Sequence, residues 1–227
     1  MRLAGLVMEH ALIIGASGGI GAALADALAA RGADVTRLSR SADGLDITDE
    51  ASVAAHLGAL DGPFDRIIVA SGILAPAGGA PEKALSSVSA DAMAKVFAAN
   101  AIGPALVLKH AQRLIPRDRA CRIAVLTARV GSIGDNAMGG WYSYRAAKAA
   151  ANQIVHTAAI EIGRKRREAV VVALHPGTVA TPFTSGYPAH KKVEADVAAE
   201  NLLRVMDGLN PADTGGFFDW AGKRVPW

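Results

Sequence analysis

ALIIGASGGIG, residues 11–21, decides the fold of this 227-residue chain. Its first four residues are apolar and have the pattern of a short buried strand. The glycine-rich loop that follows leads into a helical pattern from Ala22 to Arg31, with Gly32 just past its end. A strand, a glycine loop and a helix in this order predict a turn that binds a dinucleotide, because the free N–H groups of a helix N-terminus attract phosphate.

Beyond this stretch, predicted strands and helices alternate along the whole chain. The further strands are apolar runs without polar alternation, at 33–38, 65–70, 122–127, 169–174 and 216–220. The further helical patterns cover 50–60, 89–114, 142–166 and 196–207. Strands that are apolar on both faces predict a parallel sheet covered by helices on both sides, and right-handed crossovers make it doubly wound. The predicted fold class is α/β, a Rossmann fold formed as a single domain over residues 1–227.

The bulk composition predicts a soluble cytoplasmic protein. The formal net charge is only +3, and the densest basic run, 164–167, has no interleaved aromatic residues, so nucleic-acid binding is not expected. The single cysteine, Cys121, cannot form an intramolecular disulfide, which fits a reducing compartment. Glu9 and His10 interrupt the short apolar stretch near the N-terminus, which predicts neither a signal peptide nor a membrane span. The six histidines are dispersed, so no metal site is expected.

Tyr144 and Lys148 are candidates for acid–base chemistry. Residues four apart lie on the same face of a helix, one turn from each other. An ammonium close to a phenol stabilises the phenolate, so we expect the pKa of Tyr144 to lie below its ordinary value of about 10. Such a phenol is a proton donor for carbonyl chemistry near neutral pH. With the glycine loop supplying a hydride carrier, the pair predicts an oxidoreductase.

The glycine spacing and the Tyr-x-x-x-Lys pair together resemble the short-chain dehydrogenase/reductase family, from about His10 to Trp227. In the glycine loop, Gly15 permits the sharp turn, Gly19 lets the backbone approach the pyrophosphate and Gly21 allows close packing. The stretches 139–144 and 218–227 look like the C-factor-like and sniffer-like carbonyl reductases of that family. The predicted cofactor-binding residues in this loop are Gly15, Ser17, Gly18, Gly19, Ile20 and Gly21.

The end of the second strand predicts the cofactor. An acidic residue there would bind a ribose 2′-hydroxyl, but this chain has Ser39 and Arg40. A guanidinium with neighbouring hydroxyls suits a phosphate, so we expect NADP(H) in preference to NAD(H). The resemblance implies further contacts with the adenine end from Asp46, Ile47, Ser71 and Gly72, and with the nicotinamide end from Pro176, Gly177, Val179 and Thr181.

The resemblance also assigns catalytic roles. It implies that Tyr144 exchanges the proton with the substrate oxygen, that Lys148 holds the nicotinamide ribose, and that Asn100 helps to bind a water that feeds protons through the lysine. The family expects a serine just past the fifth strand, where this chain has Ala128. Ser132 is the nearest hydroxyl and the favoured replacement. Thr127 is the alternative if its strand ends early, since alternation otherwise turns it away; a third possibility is that nothing replaces the serine.

The expected function is hydride transfer between NADP(H) and a small carbonyl or alcohol substrate. Residues 182–194 fall where the family has a mobile substrate lid. The resemblance implies a homodimer or homotetramer. The alternative function is that of a weakly catalytic or non-catalytic NADP-binding signalling or sensor protein, which the missing serine favours.

Overall fold

Six parallel strands form the centre of the computed structural model, which describes residues 8–186 and 191–227. They lie in the order β2-β1-β3-β4-β5-β6. The chain passes from β1 to β2 at one edge, crosses to β3 on the other side of β1, and then adds β4, β5 and β6 in turn. All neighbouring pairs are parallel. The strands are β1 His10–Ile14, β2 Asp34–Leu38, β3 Arg66–Val69, β4 Cys121–Leu126, β5 Ala169–His175 and β6 Phe217–Asp219.

Helices cover both faces of this sheet. The helices are α1 Gly19–Ala30, α2 Arg40–Asp43, α3 Glu50–Gly58, α4 Ala90–Phe97, α5 Gly103–Ala111, α6 Tyr142–Lys165 and α7 Ala195–Gly208. α1 and α7 pack on one face, where Ala124 and Leu126 of β4 belong to their core layer. α3, α5 and α6 pack on the other face, with Ile123 and Val125 of the same strand. The predicted doubly wound α/β fold is confirmed.

The first helix begins at Gly19, three residues before the predicted start at Ala22. Glycine has a low helix propensity, so the periodic pattern did not extend into the loop. Close packing overrides that propensity: a Cβ atom added to Gly21 would lie 2.2 Å from the carbonyl oxygen of Gly15. The loop is thereby folded back on the first turn of α1.

The predicted long helix over 89–114 is present but not uniform. A π-helical turn, Ala98–Ile102, separates α4 from α5, and a short 3₁₀ turn completes the run to Leu114. By length and composition alone, Ala90–Leu114 could cross a membrane. Its apolar residues include Val107, Leu108 and Ala111, which lie in the core layer that α6 also covers. Burial against protein therefore accounts for part of its apolar character.

Candidate active site

Two adjoining clefts open at the carboxyl edge of the sheet. The first has a volume of about 330 Å³, and the second, on the β2 side, about 230 Å³. The predicted residues that line the first are Ser17, Gly18, Gly19, Ile20, Ser71, Gly72, Tyr144, Lys148, Pro176, Gly177, Val179 and Thr181. Those that line the second are Gly15, Ser17, Gly18, Ser39, Arg40, Asp46, Ile47, Ser71 and Gly72. The chain thus brings residues from four loops and from α6 to one edge of the sheet, where ligands of doubly wound folds bind.

The glycine loop is shaped for close approach by a phosphate group. Gly15 has φ +88°, a conformation that favours glycine, and its N–H donates to Leu38 O at 2.8 Å. No side chain caps the first turn of α1, which leaves its N–H groups for an anionic ligand. A Cβ atom on Gly19 would lie 2.6 Å from Cγ2 of Thr181, across the cleft entrance. Gly19 therefore packs closely against Thr181, with no room for a side chain between them.

The β2 end of the site carries the residues that would distinguish the two dinucleotides. Ser39 is buried, and its hydroxyl accepts from Ala42 N at 3.2 Å, while Arg40 is exposed at the start of α2. Asp46 Oδ1 accepts from the hydroxyl of Thr48 at 2.7 Å, and this bond lowers the pKa of the Asp46 carboxyl. The sequence analysis overlooked Asp43, whose carboxylate accepts from Ser39 N at 2.8 Å. That carboxylate supports the turn that presents Arg40.

Tyr144 and Lys148 lie one turn apart in α6, as predicted, and both are buried. The Lys148 Nζ is 5.9 Å from the centroid of the Tyr144 ring and donates to Leu126 O at 2.9 Å. Burial raises the pKa of Tyr144 and lowers that of Lys148 to about 8. The expected lowering of the Tyr144 pKa is therefore wrong for this structure, because desolvation favours the neutral form of each group. Tyr144 is therefore protonated at neutral pH and, buried as it is here, is a weaker acid than a free tyrosine.

Asn100 lies in the π-helical turn and is fully buried, next to Gly72, which lines both clefts. Its Oδ1 accepts from Ile73 N at 3.1 Å, and its Nδ2 donates to Ile73 O at 2.7 Å. A Cβ atom on Gly72 would lie 2.6 Å from Asn100 Oδ1 and 3.4 Å from Lys148 Nζ. Gly72 therefore lies close to both side chains. Asn100 and Lys148, which the sequence predicts to act together, are brought near each other at this glycine.

The structure places Ser132 outside this cleft, so the geometry does not support its predicted catalytic role. Its hydroxyl donates to Trp227 O at 3.4 Å and accepts from Asp135 N at 3.1 Å. The reason is a 3₁₀ turn, Arg129–Gly131, which folds the chain back onto α6. A Cβ atom on Gly131 would lie 2.8 Å from the backbone of Lys148, so Ser132 emerges on the far side of the helix, in a separate cavity. Ala128 lines the cleft and carries no hydroxyl.

Aromatic rings surround Tyr144. Its ring centroid is 6.1 Å from that of Trp141 and 6.1 Å from that of Phe183, both in tilted or edge arrangements. Phe183 lies in a short 3₁₀ turn, Pro182–Thr184, within the predicted lid. The far end of the lid returns at Val193, whose N–H donates to Thr178 O at 3.0 Å. The predicted lid lies partly outside the described residues, since 187–190 are not among them.

Glu82, which the sequence analysis missed, supports the N-terminus of α6. Its carboxylate accepts from the backbone N–H of Ser143 at 3.2 Å and from the Ser143 hydroxyl. Burial alone would raise the pKa of Glu82, but these hydrogen bonds outweigh it and the pKa is lowered. Trp141 is the N-cap residue of this helix, and its side chain makes no capping hydrogen bond. Glu82 acts as its cap from a distant loop, which no local sequence signal could indicate.

Replacing Glu82 by alanine should lower the free energy of unfolding by about 1–2 kcal/mol, the cost of losing a helix cap. Because the pKa of Glu82 is lowered on folding, its contribution is present at neutral pH and is lost as the pH falls below the ordinary value of about 4.3. Urea denaturation at pH 7 and pH 3.5 checks this. Glu82→Gln, which keeps an acceptor, is the matched control, and equal stability of all three proteins at pH 7 would contradict the cap.

Comparisons with known proteins agree with this geometry. A sequence model of the family described as short chain dehydrogenase matches residues 9–192. C-signal of Myxococcus xanthus is 38% identical over 144 residues, covering 63% of this chain and 84% of that protein. A 1-hydroxy-2-glutathionyl-2-methyl-3-butene dehydrogenase of Rhodococcus sp. (strain AD45) is 30% identical over 236 residues. The match covers 97% of this chain and 100% of that protein. The structure of a short-chain dehydrogenase/reductase from Burkholderia multivorans with bound NADP superimposes with a TM-score of 0.80 at 25% identity. The superposition covers 97% of this chain and 100% of that chain.

Proposed function

The chain belongs to the short-chain dehydrogenase family, and from this premise we propose that it transfers a hydride between NADP(H) and a small carbonyl or alcohol substrate. The observation that carries the proposal is that Tyr144 and Lys148 line the same cleft as the glycine loop, where Lys148 Nζ and Asn100 Oδ1 both lie next to Gly72. A proton donor, a cation and a phosphate-binding turn in one cleft suit carbonyl reduction better than any other chemistry of this fold.

In the proposed reduction, each residue acts on a stated atom. The bound cofactor supplies the hydride that adds to the carbonyl carbon and is itself oxidised. Tyr144 gives the proton of its hydroxyl to the carbonyl oxygen, which yields the alcohol. Lys148, held at Leu126 O, stabilises the phenolate left behind, and Asn100 holds the backbone of Ile73 beside it. Phe183 and Trp141 keep water from the Tyr144 ring.

NADP(H) is the proposed cofactor in preference to NAD(H). Ser39 and Arg40 line the second cleft, next to the glycine loop. The carboxylate of Asp43 accepts from the backbone N–H of Ser39 through Oδ2 and so supports the turn that carries Arg40. The Burkholderia multivorans relative, which has NADP bound, supports the same choice.

NADPH at 100 times its dissociation constant should stabilise the protein by about 2.7 kcal/mol, and NADH at the same concentration by much less. Arg40→Ala should weaken NADPH binding by about 10-fold, the loss of a charge-assisted hydrogen bond, without changing NADH binding. Thermal shift and isothermal titration measure both. Arg37→Ala removes another arginine nearby, paired with Asp26 at 2.8 Å, and is the control. Stabilisation by NADH alone would refute the role of Arg40.

A second function has two observations in its favour. Ala128 leaves the cleft without the hydroxyl that the family uses, and C-signal is among the similar proteins. A weakly catalytic NADP-binding sensor would fit both facts. Turnover of aldehydes, ketones or quinones by the wild-type protein separates the two functions, because a sensor of this kind binds NADPH and turns over none of them.

Self-association as a homodimer or homotetramer belongs to the same proposal. Ile102, at the end of the π-helical turn, and Ile160, in α6, are each half exposed on helices that pack against one another. Apolar side chains on neighbouring helices are suited to burial in an interface between copies.

A further inference from the structure

Among the described residues that line the cleft, Thr127 has a buried hydroxyl without a hydrogen-bond partner. β4 ends at Leu126, one residue before the predicted end, so Thr127 begins the loop that leads to Ala128. Thr127 lines the same cleft as Tyr144 and Lys148. Its Oγ1 is buried and makes no hydrogen bond. Buried hydroxyls nearly always have a partner, so this one calls for an explanation.

Thr127 also stands on the face of the sheet from which Tyr144 and Lys148 approach. The side chains of Val125 and Leu126 lie in opposite core layers, and alternation continued for one residue places Thr127 on the side of Val125, which is the side of α6. The expectation that alternation turns Thr127 away is therefore wrong. Lys148 Nζ donates to Leu126 O at 2.9 Å, which brings the ammonium to the peptide bond that precedes Thr127. The threonine is therefore next to the predicted proton donor pair in the structure.

His175 is the neighbour of Thr127 in the sheet. Leu126 is in register with Leu174, and Thr127 N continues the ladder by donating to Leu174 O at 2.8 Å. The two residues therefore lie side by side with their side chains on the same face. His175 lines the cleft, and its buried Nδ1 makes no hydrogen bond. Two unsatisfied polar atoms thus lie on adjacent strands of one cleft.

The imidazole of His175 is neutral at physiological pH. Burial lowers its pKa to about 4, despite the opposing influence of Asp219. A neutral imidazole carries one N–H donor and one acceptor nitrogen. With the proton on Nδ1 it can donate to a hydroxyl oxygen. Asp219 is not available as its partner through Oδ1, which accepts from the backbone N–H groups of Ala221 and Lys223.

We propose that Thr127 is a catalytic residue whose hydroxyl donates a hydrogen bond to the substrate carbonyl oxygen, in the role that Ala128 cannot fill, and that His175 is a positioning residue that orients this hydroxyl through Nδ1. The inference rests on the proposed reductase function. In this arrangement His175 donates to Thr127 Oγ1, and Thr127 donates to the carbonyl oxygen, which also receives the proton from Tyr144. No bond other than those of the proposed reduction is made or broken.

The test is the reduction of a carbonyl substrate by wild type and by isosteric variants. Thr127→Val keeps the shape and removes the hydroxyl, and kcat/KM should fall about 100-fold, as for the loss of one oxyanion donor. Thr127→Ser should stay within about threefold of wild type. Adding Ala128→Ser to Thr127→Val should restore at least about 10-fold of the loss. NADPH affinity, measured by titration, should be unchanged in all of them.

The role of His175 is tested by substitutions that keep or remove a hydrogen-bond donor at the position of Nδ1. His175→Asn retains an N–H where Nδ1 stood and should recover most of the activity lost in His175→Ala, with NADPH affinity unchanged in both. A purely structural histidine would show no such recovery. Ser132→Ala is the control hydroxyl and should have wild-type kcat/KM.

The outcomes separate this inference from the function on which it rests. If wild type reduces the substrate and Thr127→Val stays within threefold of it, the role of Thr127 is refuted and the reductase function stands. An equal loss in Ser132→Ala would refute it as well. If wild type binds NADPH and reduces nothing, both are overturned. If the Thr127→Val protein fails to fold, two other variants decide whether Thr127 has this role. They are Thr127→Ser and Thr127→Ala, the latter with and without the added Ala128→Ser.

Discussion

Tyr144→Phe should lower kcat for carbonyl reduction by about 10³-fold and leave NADPH affinity unchanged, since a positioned general acid contributes about 10²–10⁴ to the rate. Phenylalanine preserves the ring, so the contacts with Trp141 and Phe183 remain and only the proton is lost. The pKa of Tyr144 is raised by burial, so the wild-type hydroxyl is fully protonated at neutral pH and able to donate. Steady-state kinetics and NADPH titration measure the two quantities.

The matched control for Tyr144→Phe is Tyr142→Phe. Tyr142 lies two residues earlier in the same helix, and its side chain is partly exposed. Loss of its hydroxyl should change kcat by less than about twofold, the range expected of a surface substitution. A Tyr144→Phe protein that keeps more than a tenth of wild-type activity would rule out Tyr144 as the proton donor.

Gly21→Ala should lower the free energy of unfolding by about 3 kcal/mol, the upper part of the range for overpacking, and abolish detectable NADPH binding. The added Cβ would lie 2.2 Å from Gly15 O, a backbone atom that cannot rotate away. The glycine loop must therefore move off α1, and the loop is the proposed pyrophosphate site. Thermal denaturation should show a loss of several degrees, at about 2–4 °C per kcal/mol for a chain of this size.

Gly163→Ala is the control for Gly21→Ala. Gly163 lies inside α6, and an added Cβ there would meet nothing within 4 Å. This change should stabilise the protein by up to about 1 kcal/mol through helix propensity, with NADPH binding unchanged. If Gly21→Ala were as stable as Gly163→Ala, the close contact between loop and helix would be refuted.

Much of the site could be read from local patterns, because it depends on spacing along single elements. Tyr144 and Lys148 share a face of α6 wherever that helix packs in the fold, because they are four residues apart. The glycine loop needs only the strand before it and the helix after it. Arg40 follows directly from the end of β2. Each of these inferences uses residues within one or two turns of each other, where backbone geometry leaves few choices.

Asp43 was missed although its contact with Ser39 is local, but the other two failures depend on contacts between distant segments. Glu82 reaches Ser143 across 61 positions, and Ser132 is turned to Trp227 across 95. The expected pKa of Tyr144 was wrong for a related reason. The helix predicts the nearby lysine, but burial of the pair is a property of the packed cleft, and desolvation outweighs the charge.

The sequence by itself determined the doubly wound α/β fold, the glycine loop at its first turn and the helical pairing of Tyr144 with Lys148. Strand and helix periodicity and the close approach that glycine allows are local consequences of backbone sterics. Only the tertiary structure decided which hydroxyl stands beside that pair. Ser132 and Thr127 are close together in the chain, yet the turn at Arg129–Gly131 sends one to the far side of α6 and leaves the other in the cleft. That choice depends on how the loop packs on the helix, and packing is decided by the whole fold.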